Sequence, residues 1–393
     1  MKNLQMKYNL LHIFYWITSC TIYGYVAVFL QYKGLSNTEI GIVSGAGAIL
    51  SIFISPFMSS IVSQVKGLSI KKLILILYCV MYLSFIVLSL FSLPTICIMV
   101  LYVSLICFIV SIVPFLSTIC MDYLKAGQYI NFGLSRGMGS VSYAVSAVVL
   151  GQLIELFDPR VLSIVFIFSS LLLLVLLFSM PECEKKETVQ IQNEASVLTI
   201  IHNYRTFFLI LLAFAFVFAA SSTLSTYLIN IVHQLGGSTS IYGVAVFAMA
   251  ASEMPVMAVT HSLLKKYKSE TLLLISAFCY VLRNFTICLA PNVAVLIVGM
   301  MFQSVSYGLF TATITYYVND YLKTEDQMMG QTMIGMMSSG VGATIGNVSG
   351  GILQDTLGLN SMLVFVCCLT VIGAMIMTFT LKNKIGWVKK RRA

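Results

Sequence analysis

Long apolar runs separated by short polar breaks govern what this sequence can fold into. A helix needs about 20 apolar residues to cross the hydrocarbon of a bilayer. Counting such runs gives twelve, at about 9–31, 38–64, 70–92, 94–118, 131–154, 160–180, 205–232, 241–264, 270–290, 293–318, 329–353 and 360–381. The composition agrees: apolar residues are 59% of the 393, and Asp, Glu, Lys and Arg together are only 9%, against roughly 25% in an ordinary globular domain. A secreted disulfide scaffold, a disordered chain and a soluble enzyme are excluded. The expectation is an all-α membrane protein with 12 transmembrane helices. The first run is long enough to span and lacks a small-residue cleavage site, so it reads as a span and not as a cleavable signal.

A formal charge of +9 invites a nucleic-acid reading until the cations are placed along the chain. Nineteen of the 23 lie at the N-terminus, in alternate loops or in the tail: Lys2, Lys7, Lys66, Lys71, Lys72, Lys125, Lys185, Lys186, Arg205, Lys265, Lys266, Lys268, Lys323 and six between 382 and 392. Lys33 and Arg160 fall in the intervening loops. This alternation is the positive-inside pattern, with both termini cytoplasmic in an inner membrane. The tail Lys389-Lys390-Arg391-Arg392 is then suited to anionic lipid headgroups, and no nucleic acid is expected. Only Arg136, Arg283 and Glu253 fall inside apolar runs.

The one long polar stretch, 182–203, carries Glu182, Glu184, Lys185, Lys186, Glu187 and Glu194 and reads as a cytoplasmic linker. The expected organisation is a six-helix bundle over 1–181, a linker over 182–204, a second six-helix bundle over 205–381 and a basic tail over 382–393. The halves echo each other. Met121-Asp122-Tyr123-Leu124-Lys125 recurs as Asn319-Asp320-Tyr321-Leu322-Lys323, and at the same offset of 198 residues Arg136-Gly137-Met138-Gly139-Ser140 faces Ile334-Gly335-Met336-Met337-Ser338. Parallel repeats of this kind are the plan of one large transporter class and imply two related bundles with a cleft at mid-membrane. In the first external loop, Gly34-Leu35-Ser36-Asn37-Thr38-Glu39-Ile40-Gly41 ends one helix on glycine and opens the next with a capping box of Ser36 and Glu39.

With six plus six spans, a central linker, a half-chain repeat and this loop, the sequence resembles the major facilitator superfamily over nearly its whole length, Tyr8 to Leu381. Within it, the fifth span resembles the oligosaccharide:proton symporters of the lactose permease group. That group carries an Arg in a short R-x-x-G element and an aromatic seven residues later; the matching positions are Arg136, Gly139 and Tyr143. Spacings of three, four and seven put all three on one helical face. The group's second intramembrane Arg, in the ninth span, is matched by Arg283. The departures are equally definite. Ser63 stands where the family's loop between spans two and three has an Asp. Gln303 and Ser306 replace a His and a proton-transferring Glu of the tenth span, and Ser222 and Ser225 replace acids of the seventh. Thr118, with Asp122 one turn on, stands for the fourth-span acid. The group's proton-coupling residues are therefore not transferable to this chain.

Arg136 keeps its charge in any protein environment, so inside a bilayer it faces a partner or a wet cavity. Its planar fork suits vicinal hydroxyls or a carboxylate; a structural ion pair is the alternative. Tyr143 offers a ring to a solute or packs against other aromatics. Glu253 is the one mid-span acid, and carries a coupling proton or forms a permanent salt bridge with Arg283 or Arg136. Arg283 contacts substrate, partners Glu253 or pairs structurally. Ser221-Ser222-Thr223-Leu224-Ser225-Thr226-Tyr227 and Gln303-Ser304-Val305-Ser306-Tyr307 line a hydrophilic cavity if they face inward, or bond helix to helix. The glycines of the eleventh span serve close packing. The ten cysteines show no CxxC or Cys/His spacing and read as small buried hydrophobes. His12, His202, His233 and His261 fall near helix ends or in loops, and no metal or other cofactor is expected.

The functional expectation is proton-coupled, alternating-access transport of a sugar or similar small polar solute. Arg136, Tyr143, Arg283 and Gln303 would bind the substrate, Glu253 would carry the proton, and the chain would act as a monomer. Intramembrane charge is +1 with Glu253 ionised and +2 with it protonated, which favours an anionic solute. A drug or metabolite efflux antiporter and a non-transporting membrane sensor are the alternatives. The chain has no catalytic nucleophile motif or phosphate-binding loop, and no enzyme activity is expected.

Overall fold

In a computed structural model of the chain, residues 4–65, 67–181, 197–382 and 384 are described, and among them the architecture is helical without strands. Contacts divide the molecule into two compact units, the first comprising Met1–Val189 and Ser238–Phe247, the second Gln190–Gly237 and Ala248–Ala393. Among the described residues nine helices are long and apolar enough to cross a bilayer, or ten when a bent pair counts as one span. Of the twelve expected runs, nine match such single helices and the first matches the bent pair, while 241–264 and 329–353 fall short of that standard among the described residues. The charged linker positions 182–196 and the tail Lys389-Lys390-Arg391-Arg392 lie outside the described residues.

The first unit opens with α1 (Leu4–Ser19), continues through a π-helical turn at Cys20–Gly24, and breaks at Tyr25 before α2 (Val26–Tyr32). The bend is 54°. Then come α3 (Asn37–Gln64), α4 (Ile70–Leu90), α5 (Thr95–Lys125), α6 (Phe132–Leu156) and α7 (Val161–Ser179). Ser36 and Glu39 form the capping box at the start of α3: the Ser36 amide donates to Glu39 Oε2 at 2.8 Å, and the Glu39 amide donates to Ser36 Oγ at 3.3 Å. The core of the unit is an aromatic stack, Phe85 on Phe166 at 4.5 Å and Phe29 on Tyr102 at 5.7 Å between ring centroids.

In the second unit α8 (Val197–Asn203) precedes α9 (Arg205–Thr226), and a break at Tyr227 leads to α10 (Leu228–Gln234). The end of the expected linker is thus helical. Val197, Leu198, Ile200 and Ile201 give it an apolar face, and Ile200 is buried in the core with Phe207, Leu211 and Phe214. Next are α11 (Thr239–Leu264), whose first residues pack with the first unit, α12 (Ser269–Cys288) and α13 (Val293–Met301). A π turn at Ser304–Gly308 leads to α14 (Leu309–Tyr321). The eleventh run is α15 (Thr324–Gly335), a π stretch Met336–Gly342 and α16 (Ala343–Leu357), and α17 (Leu359–Leu381) closes the chain.

The half-chain repeat extends to backbone detail. Tyr25 and Tyr227, 202 residues apart, occupy the breaks after α1 and α9 with φ/ψ of −114°/25° and −102°/17°. Each donates its hydroxyl to a main-chain carbonyl of another helix, Tyr25 to Ala147 and Tyr227 to Asn347, the latter at 2.9 Å. The short helices that follow end alike, on Gly34 (φ 85°) and Gly236 (φ 76°), a left-handed conformation that glycine adopts without steric cost.

Glycine permits close helix contact where α9 meets α16. A Cβ on Gly346 would lie 2.2 Å from the Ala219 carbonyl oxygen, whereas one on Gly335 would meet nothing within 4 Å. Gly346→Ala therefore forces two backbones apart and should cost about 1–3 kcal/mol. Gly335→Ala should stay within about 1 kcal/mol of the parent, on the stabilising side if anything. Thermal unfolding of both variants in one detergent checks the contrast; equal transition temperatures would reject the close-packing role.

Candidate functional site

In the first unit the site is built on α1 and α6. Asn131 caps α6 by accepting the Leu134 amide at 3.0 Å, so the helix begins just before Arg136. The face carrying positions 131, 135 and 139 turns to α1. Gln5 donates to Ser135 Oγ at 3.1 Å, and Ser135 donates to Asn9 Oδ1 at 2.6 Å. On the next residue of α6, the guanidinium of Arg136 lies over the Trp16 ring at 4.2 Å and donates to Ser140 Oγ at 2.6 Å. Such a cation–π contact is worth about 0.5–2 kcal/mol according to its desolvation. Tyr143 meets the same indole edge-on at 5.9 Å. Gly139 makes room for it: a Cβ there would fall 2.2 Å from Trp16 Cδ1. Arg136, Gly139 and Tyr143 thus converge on Trp16. The lack of a side chain at Gly24, beside the break of the first span, leaves room for the Tyr143 hydroxyl, which a Cβ there would meet at 2.9 Å.

Sequence reading passed over Trp16 and misplaced His12. His12 is the ninth residue of α1, not near its end, because the helix starts five residues before the apolar run does. It is buried, its ring edge-on to Tyr8 at 4.8 Å and to Phe132 at 5.8 Å. Neither its ring nitrogens nor Trp16 Nε1 has a hydrogen-bond partner among the described residues. The available signal was the spacing of Gln5, Asn9, His12 and Trp16, a polar and aromatic stripe on one helical face.

In the second unit the site is built on α9, α11 and α12. Arg283 is 0% exposed. Its Nη1 donates to Ser221 Oγ at 2.8 Å and to Asn284 Oδ1 at 3.0 Å. Asn284 in turn donates to Thr370 Oγ1 at 2.8 Å, tying α12 to α17. Arg283 Nε and Nη2 have no hydrogen-bond partner among the described residues, nor has the Tyr280 hydroxyl one turn away. A guanidinium keeps its charge and five donors, and each buried donor left unmade costs about 1–3 kcal/mol.

Glu253 is half-buried in α11, and its charge bears on both Arg283 and Tyr280. Its backbone approaches Gly308, where the π turn after Gln303 ends. Gln303 Oε1 is buried without a partner among the described residues. Single π turns inside α-helices often mark functional positions. Of the polar stretches, Ser222 and Thr226 donate to Asn347 Oδ1 at 3.0 and 3.1 Å, and Ser306 bonds its own helix at Phe302. Those side chains join helices or close on their own turn, and only Ser221 serves the arginine. Two acids near helix ends are also buried: Asp326 accepts from Tyr204 at 2.7 Å, and Glu270 accepts from Tyr321 at 2.7 Å. No group of three or more metal-ligating side chains occurs among the described residues.

Comparison with known proteins places these clusters in context. The model of the MFS_1 like family matches residues 5–366. An uncharacterized transporter of Bacillus subtilis, YwbF, is 22% identical over 97% of this chain and 96% of its own. The maltose permease of Geobacillus stearothermophilus is 22% identical over 70% and 69%. Among solved structures, a mutant of the nucleoside transporter NupG superposes with a TM-score of 0.82 at 14% identity, covering 97% of this chain and 100% of that one. A bacterial homolog of the human lysosomal transporter Spinster gives 0.71 at 13% identity over 97% of both chains. The chain belongs to the MFS_1 like family, a multi-pass membrane transporter of the major facilitator fold and not an enzyme.

Proposed function

We propose that this transporter is a proton-coupled symporter of a small polar solute presenting a carboxylate or vicinal hydroxyls, a sugar or sugar acid. The observation that carries the reading is Arg283, wholly buried with two donor groups unpartnered among the described residues. Such a cation calls for an acceptor that comes and goes, as a transported solute does. Arg136 supplies a second fork, laid on Trp16 beside Tyr143, an aromatic wall of the kind sugar rings pack against. The names of two relatives, a maltose permease and a nucleoside transporter, both carry sugar-containing cargo and lend support. In this proposal the two units serve as the two bundles of an alternating-access cycle, in the cytoplasmic membrane with both termini inside. Glu253, half-buried and facing a permanent cation, is the group that loads and releases the proton.

Thermal-shift screening of the purified protein against neutral sugars, sugar acids, nucleosides and hydrophobic cations at two pH values tests the substrate class. A ligand of the folded state raises its stability by mass action. Sugar acids should give the largest shifts; hits confined to hydrophobic cations would replace uptake by drug efflux.

In proteoliposomes, Glu253→Gln should abolish accumulation driven by a proton gradient and leave solute exchange near the parent rate. Unimpaired uphill transport would remove Glu253 from coupling. Arg136→Lys keeps the charge and loses the fork. Solute affinity should fall about 10–100-fold, the loss of one or two charge-assisted hydrogen bonds, with unfolding temperature little changed. A drop in stability at parental affinity would instead make Arg136 a structural cation.

A further inference from the structure

Two cavities of the second unit adjoin where α8 meets α9. The larger, 490 Å³, is a trough lined by Leu198, Ile201, Phe208 and Leu209 with His202 and Arg205 at its mouth. The smaller, 350 Å³, shares His202 and Arg205 and is lined on its far side by Tyr204, Thr206, Tyr321 and Lys384. Leu198 and Leu209 are 75% and 40% exposed, so the trough opens to the outside of the helix bundle. Arg205 makes no ion pair or hydrogen bond among the described residues, and Lys384 holds only a long contact to Thr206 Oγ1 at 3.5 Å. The carboxylates that bond the chamber's tyrosines, Asp326 to Tyr204 and Glu270 to Tyr321, are buried. Among the described residues the lining of the chamber carries these two cations and no carboxylate.

We infer that this double cavity binds one anionic phospholipid, its phosphate between Arg205 and Lys384 and an acyl chain along the Leu198–Leu209 trough. The site is distinct from the clusters around Arg136 and Arg283, and it rests on the proposed orientation, which sets this end of the unit at the cytoplasmic leaflet, where anionic lipid is available. Charge and shape point to one occupant. An apolar groove continuous with a cationic chamber matches an amphiphile with an anionic head, and neither half alone would hold one firmly. Tyr204 and Tyr321, with a polar tip on an apolar body, suit the interface between head and chain.

The test is native mass spectrometry of the full-length transporter titrated with dioleoylphosphatidylglycerol. Dioleoylphosphatidylcholine and glycerol 3-phosphate are run alongside. The wild type should retain one phosphatidylglycerol in preference to phosphatidylcholine, and glycerol 3-phosphate at equal concentration should not displace it. Arg205→Gln with Lys384→Gln should weaken that binding about 25-fold, since each interfacial cation contributes about a fivefold factor. Arg160→Gln, which removes an exposed cation of the first unit, should leave it unchanged. Leu198→Ser with Leu209→Ser keeps the cations and should also weaken lipid binding, so the proposal is tested even if one double variant fails to fold. Parental affinity in both double variants, equal loss in Arg160→Gln, or displacement by glycerol 3-phosphate would overturn the lipid site, the last in favour of a free-anion site. None of these outcomes touches solute transport by Arg136, Arg283 and Glu253, which the proteoliposome variants test separately.

Discussion

Tyrosine hydroxyls bonded to main-chain carbonyls hold much of this molecule together. Tyr8 donates to Leu116, Tyr15 to Ile109, Tyr25 to Ala147, Tyr102 to Ile22, Tyr227 to Asn347 and Tyr242 to Gly24. The reason lies in the solvent. In hydrocarbon a phenol cannot bond to water, and helix carbonyls are the acceptors in greatest supply, each keeping a spare lone pair after the helix bond is made. Helix association gains little from apolar burial when lipid is as apolar as leucine, so these bonds and close glycine contacts set which helices adjoin. The two broken spans depend on them most. A break leaves backbone groups unpaired, and the tyrosine at each break fastens the chain to a neighbouring helix.

That dependence marks how far sequence could lead. Helices were legible because apolar runs of spanning length have few alternatives, and the capping box at Ser36 and Glu39 forms as its spacing requires. The breaks at Tyr25 and Tyr227 were not legible, since no proline marks either, and Gly24 in one span and the hydroxyl residues 221–226 in the other are equally at home in an unbroken helix. The same holds for α8, seven residues that periodicity cannot separate from a polar linker. The near boundaries of α1 were misread because Leu4–Tyr8 is helical yet mixed in polarity, and this hid His12 inside the helix. At the site, Arg136 and Arg283 announced themselves as charges inside apolar runs. Trp16 did not, because an aromatic in a span is ordinary until its neighbours are known.

The two arginines are environments of different kinds. Arg136 is half-buried, and its charge is spread over an indole face and a serine. Arg283 is wholly buried and only partly bonded. A fully satisfied buried cation would rigidify its helices and bind nothing further, whereas an under-satisfied one stores free energy that an incoming acceptor releases. Ser221 and Asn284 hold the guanidinium by one nitrogen, with Thr370 in turn accepting from Asn284, which orients the fork without exhausting it.

The repeat sharpens this contrast. At the offset of 198 residues that relates the motifs after the fourth and tenth spans, Arg136 corresponds to Ile334 and Gln303 to Leu105. Leu105 is fully buried. The same framework position is therefore core packing in one half and a polar side chain in the other. Features that both halves retain, such as the tyrosine at each break and the glycine that ends each short helix, are those the backbone needs. Features that differ are those the backbone does not need, and they include Arg136 and Gln303. A polar residue that stands where the other half has a buried leucine or an isoleucine is one the framework does not require. The binding roles proposed for Arg136 and Gln303 call for residues of that kind.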